Sequence, residues 1–150
     1  MSDHSYDELH DFARRLGKRR LGFQGDHYDV EAVDRDRALD LGARLVDSRE
    51  LVRRLREAGL RNRHGKPAWE RLGSWPAGTP VVDGPTKLHQ HARSLDIDTT
   101  AAEVALFADP SYRVLLCDLP ASVEVPSSAR TVATGPRADG TWSLELFHPA

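Results

Sequence analysis

The sequence predicts a mixed fold, α/β or α+β, in which a mixed sheet is flanked by helices and the strand order is left open. Three observations point there. Apolar stripes at helical spacing, bounded by capping residues and glycines, fill most of residues 1–60. Short extended runs bounded by Gly and Pro recur in the second half. Helices and strands interleave along the chain, as in layered folds.

The first helix is signalled by Ser5 followed by Glu8, a capping-box pattern. Leu9, Phe12, Ala13 and Leu16 then form one apolar stripe, and Gly17 stops the helix. After a connection over 18–30 containing Gly22 and Gly25, a second helix is expected over about 31–41. Val33, Arg37, Ala38 and Leu41 set its phase and Gly42 ends it. Ala43–Val46 is too short and apolar for a helix and reads as a buried strand. Asp47 with Glu50 caps a third helix, which buries Leu51, Val52, Leu55 and Ala58 and ends at Gly59. Residues 61–80, with Trp69, Trp75, Gly73, Pro76, Gly78 and Pro80, read as an ordered connection whose tryptophans pack it down or stack on a ligand. The second half reads as a strand (79–83), helices (86–95 and 99–108), then strands at 113–118, 129–134 and 141–147. Residues 135–140 form a hairpin loop between the last two. Apolar side chains alternate from Trp142 through Leu146, the pattern of a half-buried strand. The expected organisation is therefore 1–60, a connection over 61–80, and an α+β segment over 81–150 packed with the first as one unit.

Composition narrows the classes. At 150 residues, with 39% hydrophobic and 29% charged residues, the chain can bury a core without a disulfide or structural metal. The single cysteine, Cys117, lies in the apolar run Val114–Cys117 and reads as a buried small hydrophobe. A Cys-rich zinc site is excluded. No apolar run approaches the ~20 residues of a membrane helix. The polar start Met1-Ser2-Asp3-His4 is unlike a signal peptide. A cytoplasmic protein with no membrane partner is expected.

The net charge of −2 hides an asymmetry. Residues 1–75 hold 16 Lys/Arg against 14 Asp/Glu, whereas 76–150 hold 5 against 9. Arg14, Arg15, Lys18, Arg19 and Arg20 form one basic cluster; Arg49, Arg53, Arg54, Arg56, Arg61, Arg63 and Lys66 form another. Such faces attract phosphates, although a pI of 6.4 is low for a nucleic-acid domain and the plainer reading is solvated helix surface.

The densest polar block is Phe23-Gln24-Gly25-Asp26-His27-Tyr28-Asp29, between two expected helices. Loops held by rigid elements concentrate functional groups. An imidazole oriented by a carboxylate serves as a general base, and Asp and His together bind divalent metals. The bland alternative is that Asp26 or Asp29 caps the following helix and His27 bonds to backbone. Elsewhere, His89 and His91 stand two apart, so a helix would not align them. Thr86-Lys87 lacks the glycines of a P-loop, and no serine-hydrolase elbow is present.

Around that block the chain resembles the bacterial and phage domain-of-unknown-function family 4031. The resemblance is carried by Asp7-Glu8-Leu9-His10, Phe12-Ala13, Leu16-Gly17, Arg19-Arg20, Phe23 through Val30, Arg37-Ala38-Leu39 and Leu41-Gly42-Ala43, over about residues 3–60. The family brings no established activity. Its members place a further strand and a Trp/His-containing segment before the first helix, with an Asp at that strand's end as a candidate site group. This sequence starts at the helix, as expected either of an incomplete copy or of one begun at a misassigned start codon. Gly22 stands where a bulky aromatic is usual. The resemblance favours Asp26, His27 and Asp29 as catalytic or metal-binding residues. Gln24, Tyr28, Arg19 and Arg20 follow as ligand-binding residues.

Two functions are expected. One is a metal-assisted hydrolase of a phosphorylated small molecule or nucleic acid, with a divalent metal as cofactor and the arginines holding phosphate. The other is a non-catalytic binding or regulatory module whose polar loop recognises a ligand or partner.

Overall fold

Three short helices open the chain. In the computed structural model, which describes residues 1–62, 64–65, 68–77, 103–120, 122, 124–125, 128 and 130–150, these are α1 (Tyr6–Arg15), α2 (Arg35–Asp40) and α3 (Ser48–Glu57). Single 3-10 turns at Arg20–Gly22 and Ala32–Asp34 fall between them. At the start of α1, Ser5 Oγ accepts the Glu8 N–H at 3.1 Å. The Glu8 carboxylate does not complete a capping box; it accepts from Ser2 Oγ, and Ser2 Oγ in turn takes the Ser5 N–H. Asp47 caps α3 by accepting the Arg49 N–H at 2.8 Å. All three helices end in one motif. The N–H groups of Gly17, Gly42 and Gly59 turn back to Arg14, Leu39 and Arg56, and the next residue bonds one position further in, to Ala13, Ala38 and Leu55. Each glycine has positive φ, the conformation a Cβ disfavours.

Two readings in this region are corrected. The second helix is a 3-10 turn plus six residues, and Val33, expected to set its buried phase, is 74% exposed. Ala43–Val46 is not in a strand, and Leu45 and Val46 are exposed. An apolar run makes a strand only where a ladder partner exists, and no described residue provides one.

The chain divides into units Met1–Lys66 and Pro67–Ala150. In the first, Leu9, Ala13 and Tyr28 form a core with Tyr6 and Phe23 packed against it, while Leu16, Ala38 and Leu55 are also buried. In the second, the described residues form a five-stranded antiparallel sheet. Its strands are β1 (Glu70–Trp75), β2 (Glu103–Ala108), β3 (Tyr112–Leu119), β4 (Thr131–Thr134) and β5 (Trp142–Pro149), in the order β1-β2-β3-β5-β4. The class is thus α+β. β5 lies between its hairpin partner β4 and the earlier strand β3.

One sheet face carries Val104, Leu106, Leu115, Cys117, Leu119, Leu144 and Leu146. The other buries Ala105, Leu116, Ser143 and Glu145. Burial on both faces explains two misreadings. Residues 103–108 form β2, not the end of a helix, because a doubly buried strand is continuously apolar and loses its alternation. β5 is not half-buried: Ser143 through Glu145 and Leu146 are all inaccessible. The expected connection over 61–80 contains β1, which holds Trp75 and begins just after Trp69. Trp69 packs edge-on against Phe147. The hairpin loop at 135–140 is as expected, closed by Arg137 N–H to the Thr141 carbonyl at 2.8 Å. The strand over 79–83, the helix over 86–95, the start of the one over 99–108, and Thr86, Lys87, His89 and His91 lie outside the described residues. No helix among the described residues is long and apolar enough to cross a membrane.

Candidate functional site

The polar block folds as a small hairpin. Phe23 and Tyr28 pair as an antiparallel bridge, and the Gln24 N–H donates to the His27 carbonyl at 2.9 Å. Gly25, at φ 98°, takes the first central position of the turn, where only glycine turns without strain. The base of the hairpin is fastened to α1 by rings. Phe23 meets Tyr6 and His10 edge-on at centroid distances of 5.6 and 4.7 Å. The Tyr28 hydroxyl hydrogen-bonds His10 Nδ1 at 2.7 Å.

Asp26, near the hairpin tip, is 2% exposed. Its Oδ1 lies 2.7 Å from His27 Nδ1. Its Oδ2 accepts from Arg61 Nη1 and from the Asn62 N–H, the latter at 3.1 Å. Burial alone would raise the Asp26 pKa; the hydrogen bonds from His27, then Arg61 and Asn62, together with the Arg61 charge, outweigh it and hold the carboxyl below its ordinary value. An ionised carboxylate only accepts, so the shared proton belongs to His27 Nδ1, and the neutral imidazole carries its lone pair on Nε2.

Nε2 faces the exposed side. The His27 side chain is 32% exposed, and Asp29 Oδ1 lies 3.5 Å from Nε2 on a side chain that is 84% exposed. With the ring neutral these are two acceptors, which repel unless a donor or cation sits between them; with the ring protonated, Nε2–H is itself the donor to Asp29. Bonds of ~2.1 Å to a tetrahedral metal set adjacent ligand atoms ~3.4 Å apart, so the pair fits two positions of such a site. A ligating His commonly gives its other N–H to a carboxylate, which is what Asp26 receives. Asp26 itself, with both oxygens engaged behind the ring, is not turned toward that space. Among the described residues, no group of three or more His, Cys, Asp and Glu side chains is arranged to hold a metal ion.

The structure therefore links Asp26, His27 and Asp29 into one chain of contacts. Gln24 contributes backbone to the turn and is exposed. Tyr28 points the other way, into the α1 core. Arg19 and Arg20 lie at the 3-10 turn leading into the hairpin. The sequence reading missed Arg61, Asn62 and His10 as members of the site; the signal for His10 was its place on the buried side of α1, three positions before Ala13. A separate cleft of about 530 Å³ runs along α1, over Leu9, Phe12 and Leu16, with Val46 and Leu51 opposite. Tyr28 is among its described lining residues, whereas Asp26, His27 and Asp29 are not.

Comparison with curated proteins and with solved structures finds no match. A family model described as Protein of unknown function (DUF4031) matches residues 1–58, the segment in which the hairpin and its supporting helices lie.

Proposed function

We propose that hairpin 23–29 is the working site of a metal-assisted hydrolase acting on a phosphorylated small molecule or a nucleic acid. The observation that carries this reading is the outward pair of His27 Nε2 and Asp29 Oδ1, 3.5 Å apart, with Asp26 behind the imidazole. His27 and Asp29 would hold a divalent metal, leaving its other positions to water and substrate. When bound, the metal supplies a water of lowered pKa and offsets charge on a phosphoryl oxygen. Asp26 keeps the imidazole in the orientation that presents Nε2, and Asp29 adds negative charge to the donor set. Arg19 and Arg20, on the approach to the hairpin, are the candidates for binding the substrate phosphate.

The test pairs calorimetric titration of Zn²⁺ and Mn²⁺ with hydrolysis of bis(p-nitrophenyl) phosphate. Metal binding and metal-dependent hydrolysis, both lost in His27→Ala and Asp29→Ala, are expected. A parent protein that binds neither metal and hydrolyses nothing overturns the reading.

One observation favours the second reading, a non-catalytic binding module: the cleft along α1 is lined by apolar side chains together with charged ones such as Glu8, Lys18 and Arg54, and by Tyr28, but not by the acid–imidazole chain. Ligand-induced stabilisation without turnover would support that module.

A further inference from the structure

We infer that Arg61 is a positioning residue: together with the Asn62 amide it clamps one oxygen of Asp26, so that the other fixes His27 as the Nδ1–H tautomer with Nε2 facing outward. The inference deepens the reading of hairpin 23–29 as the site and rests on it.

The geometry carries it. Asp26 is almost wholly removed from water, and a buried carboxylate persists only when its charge and its lone pairs are matched. Oδ2 is matched twice, by the Arg61 guanidinium and the Asn62 N–H, which come from 35 and 36 positions along the chain. Oδ1 is matched by His27. Each oxygen thus has a separate task, and the carboxylate cannot rotate without breaking bonds on both.

Arg61 is itself held from both sides. Just before it, α3 ends at Gly59, and the Leu60 carbonyl accepts the Tyr6 hydroxyl at 2.8 Å, tying this segment to α1. Just after it, the Asn62 side chain bonds the Gly65 carbonyl and the His64 N–H at 2.9 and 3.1 Å. The guanidinium is therefore set by a folded segment rather than by a loose side chain on the surface. Without it, Asp26 would be a buried carboxylate short of its main countercharge. It would then be free to rotate or swing toward solvent, which removes the fixed acceptor that selects the Nδ1–H tautomer.

The experiment is long-range ¹H–¹⁵N correlation of the histidine rings in the full chain, with His27 assigned by its loss in His27→Gln. The parent should show a pyrrole-like Nδ1 and a pyridine-like Nε2. In Arg61→Met both nitrogens should move toward the averaged values of exchanging tautomers, and Arg61→Lys should restore the parent pattern in part. Zn²⁺ affinity should fall about 10- to 100-fold in Arg61→Met, the range for losing the support of a ligating histidine. A parent ring protonated on Nε2, or a folded Arg61→Met that keeps the Nδ1–H pattern, overturns the inference. If Arg61→Met does not fold, Arg61→Gln, which keeps a donor without the charge, is read in the same way. Loss of the tautomer pattern in a protein that never binds metal would sink the hydrolase reading and leave the role of Arg61 standing.

Discussion

Asp29 gives its carboxylate almost entirely to solvent, so Asp29→Ala should change thermal stability by no more than about 0.5 kcal/mol while removing half of the outward donor pair. His27→Ala differs: it leaves buried Asp26 Oδ1 without its donor and should cost about 1–3 kcal/mol, measurable by urea unfolding. Cys117 shows a pH effect of the opposite kind from a paired carboxylate. Burial, then the Asp118 charge, pushes its thiol from 9.0 up to about 12. A thiol harder to ionise when folded favours the fold below its ordinary pKa, and that contribution drains away as pH climbs from 9.0 toward 12. The parent should therefore lose more stability than Cys117→Ala between those limits, and native thiol labelling should be slow. At this scale Asp26, His27 and Asp29 were legible because they crowd a turn that neither neighbouring helix needs for packing. Arg61 and Asn62 were not. They reach Asp26 from far along the chain, and Arg-Asn-Arg-His-Gly has the composition of any solvated loop.

The helix ends show how much local chemistry decides. Ser5→Ala removes the acceptor for the Glu8 N–H and should cost about 1 kcal/mol, seen as a lower melting temperature with fraying of α1. In the last hairpin, a Cβ on Gly135 would fall 2.5 Å from the Trp142 indole, which packs against the sheet core. Gly135→Ala should therefore destabilise the β4–β5 hairpin by displacing that ring, and Trp fluorescence would report the displacement. Caps, stops and the final two strands could be read from the sequence because their signals are local. β1, β2 and the 43–46 segment could not. Glu103–Ala108 is buried on both sides, which erases the alternation that marks a strand. Ala43–Val46 has the composition of a strand, but strand formation is decided by partners elsewhere in the chain.

At the scale of the whole molecule, nearby acids answer part of each basic cluster among the described residues. Arg53 bonds Glu50 and Glu57, Arg54 bonds Glu50 and Asp3, Lys18 bonds Asp34 and Arg61 bonds Asp26. Glu50, partly exposed, is drawn down to about 2 by its hydrogen bonds from Arg53 and Arg54. Binding to heparin or DNA should accordingly be weak and vanish by about 200 mM salt; tight, sequence-selective binding would contradict this. Each unit has fully buried leucine, Leu55 in the first and Leu115, Leu144 and Leu146 in the second, and truncating Leu55 or Leu115 to Ala should cost about 2–5 kcal/mol by denaturant unfolding. The insertion of β5 between β3 and β4 has a kinetic consequence. The hairpins β2–β3 and β4–β5 each close over a short turn, but the seam that joins them pairs Tyr112 with Pro149 and Leu119 with Trp142. Two pieces that can form early must wait for each other, and the search for that seam sets the refolding rate. Doubling the connection 120–130 with glycine and serine would add about 0.6 kcal/mol to loop closure, slowing refolding about threefold while leaving both turns intact.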